Sequence, residues 1–262
     1  MICLSKERYI SFLDILGFSD IVMNGELDKI LKKMRMIMNY VPIVESLGKV
    51  VKKGDKLVPN RKLKKCSCFS FSDTFIIITQ DISKESLNII ITATFQLSRG
   101  LFASGFPIRG AITKGEADYI ENTNHLIGKA IIKAAKLEKK QNWFGITIDS
   151  EVLSKDNIDL LNNDTSNVIT EYDVPLKNKT NKRYYVINWR LNLWVKDGIK
   201  SLLPKPFDDR SKLKFNNTLK FSKYIRETKQ AYKQKGEDWQ HMFYVSDGPP
   251  TKKISFEHGD EY

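Results

Sequence analysis

Residues 8–19 (RYISFLDILGFS) form an apolar run closed by Gly17, the pattern of a buried central strand entering a tight turn. From Glu26 onward, Leu27, Ile30, Leu31, Met34, Ile37, Met38 and Val41 recur at helical spacing and predict an amphipathic helix lying on a sheet. Residues 48–65, rich in Gly and Lys, read as an exposed loop or ribbon, and 66–79 (CSCFSFSDTFIIIT) as two strands joined at Ser72 and Asp73. A helix fits 84–102, a strand 107–119 and a further helix 128–141, with strands near 145–148, 168–174 and 183–188. The order β-α-β-β-α-β-α predicts an α+β fold, a ferredoxin-like α/β sandwich in which a mostly antiparallel sheet carries helices on one face. After Trp189 the pattern loosens: Pro204 and Pro206 interrupt it, one helix covers 211–235, and 247–262 is polar around Gly248-Pro249-Pro250. Residues 1–189 therefore read as the domain, and 190–262 as a C-terminal helical and irregular appendage without a core of its own.

Composition narrows the class. With 262 residues, 41% hydrophobic and 28% charged, the chain has globular usage, which excludes disordered, collagen-like and coiled-coil proteins. No run approaches the roughly 20 apolar residues of a membrane span, and the N-terminus lacks the layout of a signal peptide, so a cytoplasmic protein is expected. Forty-three Lys and Arg against 31 Asp and Glu leave a net charge of +12, a field that favours anionic partners. The excess is lysine spread along the chain, and the richest run, 49–65, holds no aromatic residue; stable nucleic-acid binding is not expected. Cys3, Cys66 and Cys68 are odd in number, and no metal-type spacing follows the last two, which suits reduced buried thiols.

Two carboxylates stand where apolar residues are the rule: Asp14 inside FLDILGFS and Asp73 inside FSFSDTF. Each taken alone reads as a turn-capping residue. A carboxylate desolvated by such a run needs a cation or a set of hydrogen bonds. In a ferredoxin-like fold the first strand and the following hairpin are neighbours, so the two can converge. Paired hard oxygen ligands suit Mg²⁺ or Mn²⁺, with substrate phosphates completing the shell.

On these residues the chain resembles the class III nucleotidyl cyclases. FLDILGFS resembles their first metal motif and FSFSDTF their second, with Ser72 in place of the usual Gly. PIRGAITKGEADY is similar to the following strand, IGKAIIKAAKLE to the glycine-led helix ending in Leu-Glu, and KRYYVINW to the late Lys-aromatic strand. The likeness runs in order over residues 8–189. Its RGAITKGE and LEKKQNWFGITID segments look most like the pyrimidine cyclases of anti-phage Pycsar systems, which make cyclic UMP or cyclic CMP for a downstream effector.

The resemblance implies a fold of the class III nucleotide cyclase type and a nucleoside triphosphate substrate. It implies two Mg²⁺ or Mn²⁺ ions per site, held by Asp14, Asp73 and the Ile15 carbonyl. Backbone amides of Leu16, Gly17, Phe18 and Ser19 would cradle phosphate, and Lys182 would neutralise the triphosphate. Lys136 falls where an Arg usually stabilises the transition state, Arg109 is a second candidate for that role, and Ile132 falls where an Asn usually orients the ribose. Phe69 and His125 occupy positions that select purines in adenylate cyclases; Phe69 offers neither donor nor acceptor, which favours a pyrimidine, UTP ahead of CTP. Trp143, Phe75 and the Ile76, Ile77, Ile78 run read as core. A head-to-tail homodimer with composite sites is implied. A cyclase-like module that binds nucleotide with little or no turnover is the alternative, as is a purine cyclase.

Overall fold

Ten residues, Lys6–Ile15, form β1, in the centre of an eight-stranded mixed sheet. The computed structural model describes residues 6–47, 50–53, 56–59, 64–119, 125–166, 168–189 and 209–228. After β1 come the short helix α1 (Phe18–Asn24) and α2 (Leu27–Glu45), then a separate ribbon of β2 (Val50–Lys53) and β3 (Lys56–Pro59). The hairpin β4 (Ser67–Phe71) and β5 (Thr74–Ile78) turns at Ser72 and Asp73, where the sequence places it. Then follow α3 (Lys84–Ala103), β6 (Ile108–Tyr119), β7 (Leu126–Gly128), α4 (Lys129–Lys140), β8 (Gly145–Ile148), α5 (Asn163–Ser166), β9 (Ile169–Pro175), β10 (Asn181–Ile187) and α6 (Asp209–Glu227). The sheet order is β4-β5-β1-β6-β8-β10-β9, with β7 added to β6; β6 and β8 run parallel and the other pairs antiparallel. Cys3, residues 48–49, 54–55 and 60–63, residues 229–235 of the expected last helix and the Gly-Pro-Pro segment lie outside the described residues.

The expectation of helices on one face is corrected. Along a strand alternate side chains point to opposite faces. Tyr9, Leu13 and Ile15 enter one core with α2, α3 and α6, whereas Ile10 enters a second core with Ala130, Ala134 and Leu137 of α4. The helix α4 therefore covers the opposite face, and the central strands are apolar on both sides because both sides are covered.

Local chemistry explains the helix positions. Ser83 caps α3, its hydroxyl accepting from the Ser86 amide at 3.2 Å. Most of α3 is buried, consistent with a helix apolar nearly all round. The start of α4 is pressed onto β6: the Thr113 hydroxyl donates to the Ala130 carbonyl at 2.8 Å, and a side chain at Gly128 would run into the Glu116 and Ala117 backbone. The described helix beyond residue 189, α6, docks into the first core, where Phe221 meets Trp143, Tyr172 and Trp189 with ring centroids 5.0, 4.8 and 5.3 Å away.

Ser72 has φ 53°, a left-handed conformation that glycine adopts without strain. Ser72→Gly is expected to stabilise the protein by about 0.5 kcal/mol, strain relief being partly offset by the greater freedom of glycine in the unfolded chain. A rise in melting temperature of about 1 °C in differential scanning calorimetry checks this.

Candidate active site

The end of β1 and the β4–β5 turn are tied together by backbone. The Ile15 amide donates to the Asp73 carbonyl at 2.9 Å, and in the sheet register Asp14 lies opposite Thr74 on one side and Arg109 on the other. Asp14 and Asp73 thus sit at one end of the sheet. Asp14 points to the α4 face, since it shares the parity of Ile10. Beyond it Gly17, with φ 68°, turns the chain into α1. The Leu16 amide is taken by the Pro107 carbonyl at 2.7 Å, so it is removed from the expected phosphate cradle. Gly17, Phe18 and Ser19 lie at a helix start, where backbone amides lack intrahelical partners.

Charge is concentrated here. Burial first, then the Glu138 and Asp73 carboxylates, push the Asp14 carboxyl up from its ordinary value to about 6, against the opposing pull of Arg109 and Lys139. Arg109 is itself engaged. Its guanidinium forms a buried ion pair with Glu138 and donates to the Gln141 carbonyl at 3.1 Å. Gln141 extends this network: its amide donates to the Gly110 carbonyl at 2.8 Å and accepts from Trp143 and Thr147, both at 2.8 Å. Every member is satisfied, so the end of α4 is locked over Arg109 beside Asp14.

Among the described residues no group of three or more His, Cys, Asp or Glu is arranged to hold a metal. Two carboxylates and a backbone carbonyl are a different case. Asp14 resists ionisation first because it is buried and then because the Glu138 and Asp73 charges act on it, and a hard cation would relieve both costs. Asp14 and Asp73 therefore fit Mg²⁺ or Mn²⁺, whereas Glu138 is committed to Arg109.

Sequence reasoning missed three residues here. Glu138 shares the buried face of α4 with Ala130, Ala134 and Leu137, and a carboxylate in that periodic set was a signal for a buried cation partner. Gln141 follows one turn later. Lys177 had no local signal: its amide donates to the Lys140 carbonyl at 2.9 Å, beside a bridge between Gln141 and Leu176. Burial, then the Arg109 charge, hold its ammonium below the ordinary lysine range, with Glu138 opposing, so it lies within reach of the Arg109–Glu138 pair.

Of the other expected site residues, Lys136 is exposed on α4 with Ile132, which is 58% exposed; from this helix Glu138 and Lys139 are the residues that bear on Asp14. Lys182 lies on β10 opposite Val174, close to the β9–β10 turn that bridges to Gln141. The Lys182 ammonium stands 4.9 Å from the Tyr184 ring centroid. His125 is exposed just before β7, whose Leu126 pairs with Tyr119 at the far end of β6. Phe69 is half-buried on β4 opposite Ile76 and packs on Tyr119. Cys66 and Cys68 are free, and burial pushes the Cys66 thiol up to about 12.

No helix among the described residues is long and apolar enough to cross a membrane. No known protein-family model matches the chain, and no curated protein does. Among solved structures it is similar to a class III adenylyl cyclase-like ATP-binding protein from Pseudomonas aeruginosa, with 12% sequence identity and a TM-score of 0.38, over 76% of this chain and 40% of that one.

Proposed function

We propose that this protein is a metal-dependent nucleotidyl cyclase that converts a pyrimidine nucleoside triphosphate, UTP ahead of CTP, to its 3′,5′-cyclic monophosphate and pyrophosphate. The observation that carries the reading is the convergence of Asp14 and Asp73 at one end of the sheet, joined through the Ile15 amide and flanked by the Arg109–Glu138 pair and Lys177. The ribose 3′-hydroxyl attacks the α-phosphorus. The O3′–P bond forms, the bond to the bridging oxygen breaks, pyrophosphate leaves with that oxygen, and the hydroxyl proton passes to solvent. Both reactants belong to one molecule, so positioning and charge neutralisation supply the catalysis.

Asp14 and Asp73, with the Ile15 carbonyl, would hold two Mg²⁺ or Mn²⁺ ions, which would supply activation of the hydroxyl and neutralisation of the triphosphate. Gly17, Phe18 and Ser19 present amides to phosphate oxygens. Lys177 adds positive charge beside the Arg109–Glu138 pair, and Lys182, on the same hairpin, neutralises the triphosphate. Lys136 faces away from its own Asp14 and serves a second copy, which makes the active unit a homodimer with isologous composite sites. Phe69 offers the base no hydrogen-bond partner, and His125 reads a pyrimidine carbonyl or exocyclic amine. The product is a second messenger for a cyclic-nucleotide-sensing effector in a cytoplasmic, anti-phage role. The exposed Ile132 at the ribose-orienting position favours a second reading, a nucleotide-binding module with weak turnover.

Incubating the protein with ATP, GTP, CTP and UTP and Mn²⁺, with products resolved by mass, tests this. Cyclic UMP or cyclic CMP supports it, dominant cyclic AMP or cyclic GMP overturns the base assignment, and triphosphate binding without product selects the second reading. Mixing Asp73→Ala and Lys136→Ala chains, each inactive alone, is expected to restore about a quarter of wild-type activity, because half of randomly paired dimers then carry one intact site of two. A mixture that stays inactive after verified subunit exchange overturns the composite site.

A further inference from the structure

A second ring stands behind Phe69. The Phe69 and Tyr119 centroids are 5.6 Å apart with planes inclined by 55°, and the Arg8 guanidinium carbon lies 5.4 Å from the Tyr119 centroid. Arg8 is only 6% exposed. All three of its nitrogens are engaged: Nε donates to the Ala117 carbonyl at 3.0 Å, Nη1 to the Thr79 and Gln80 carbonyls at 3.0 and 3.1 Å, and Nη2 to the Asp118 carboxylate at 3.1 Å. The Tyr119 amide also donates to Asp118 at 2.9 Å. A guanidinium fixed by four hydrogen bonds is an immobile plate, and an aromatic ring resting on it is held by cation–π attraction as well as packing.

The geometry points to Tyr119 as a positioning residue for base selection: Arg8 holds Tyr119, Tyr119 holds Phe69, and the Phe69 ring forms a fixed wall at the base-reading position. This rests on the proposed cyclase reading. A wall that cannot swing aside excludes the second ring of a purine, whereas a mobile Phe69 admits it; a steric filter of this kind discriminates about tenfold to a hundredfold. Tyr119 does this without touching the reacting atoms.

The test compares the ratio of kcat/KM for UTP or CTP to that for ATP or GTP in wild type, Tyr119→Phe and Tyr119→Leu. Each is checked for folding by near-UV circular dichroism and Tm, with Tyr119→Met read in place of a Tyr119→Leu chain that does not fold. In parallel, binding of the four 3′-deoxynucleoside triphosphates, which lack the nucleophile, reads base preference without turnover. Tyr119→Leu is expected to lower the pyrimidine preference about tenfold, through a fall in purine KM with pyrimidine kcat within about twofold of wild type, while Tyr119→Phe retains it. A wild type that discriminates and a Tyr119→Leu that discriminates equally overturn the assignment alone. A wild type that neither turns over nor binds any triphosphate overturns the cyclase reading, and this one with it.

Discussion

Asp14→Asn is expected to abolish cyclisation while making the metal-free protein more stable at neutral pH. The loss follows from removing a ligand that holds the cation, and is on the order of 10³-fold or more in kcat. The gain follows from electrostatics alone. In the fold the Asp14 carboxyl titrates near 6, against an ordinary value of 3.8, because burial and the Glu138 and Asp73 charges disfavour its ionised form. The folded state thus holds this proton more tightly than the unfolded state, so stability is full below about pH 4, falls as pH rises through 6 and then levels off. The whole shift corresponds to about 3 kcal/mol, reduced to about 2 kcal/mol by water reaching the half-buried group. The difference in stability between Asn and Asp should grow from near zero at pH 4 to about 2 kcal/mol at pH 7.5 in urea unfolding. Mn²⁺ should raise the Tm of wild type, increasingly above pH 6, and leave that of Asp14→Asn unchanged. A variant less stable than wild type at pH 7.5 would show that Asp14 is already compensated within the chain.

Phe221→Ala is expected to have the largest effect on stability. Phe221 is fully buried on α6 and meets Trp143, Tyr172 and Trp189, so truncation opens a cavity among rings that cannot collapse onto it. A loss of about 3–5 kcal/mol follows, seen as a fall in Tm of roughly 10 °C. The same helix supports the active end of the sheet: Asn217 donates to the Asn142 carbonyl and the Thr218 hydroxyl accepts from the Phe144 amide, both at 2.8 Å, just beyond the Gln141 network. Loosening α6 should therefore reduce turnover as well as Tm. An unchanged Tm would mean that α6 is not docked in solution.

The sequence by itself determined the elements whose signal is local. The apolar run of β1, the 3.6-residue spacing of α2 and the Ser72-Asp73 turn form where their patterns place them, because periodicity and turn chemistry are properties of a few neighbouring residues. The two aspartates were legible for the same reason: a carboxylate within an apolar stretch conflicts with its surroundings wherever the chain goes.

Tertiary structure decided the rest. The run of β1 was compatible with one covered face or two, and only α4 packing against Ile10 settles that both are covered. Arg109 met Glu138 because α4 runs back along β6, and Lys177 joined them through the Gln141–Leu176 bridge; the spacing of α4 marks Glu138 as buried but does not name its partner, and nothing local marks Lys177. Lys136 lies in a motif that reads as part of one site, yet helix phase leaves it on the exposed side of α4 while Glu138 turns inward. Phe221 belongs to a segment whose pattern suggested an appendage, because the rings it fills a space between come from three other parts of the chain. Side-chain proximity across a sheet is set by register and by the turns that close it, and a single residue of slip inverts every face; one-dimensional patterns carry the period but not that phase.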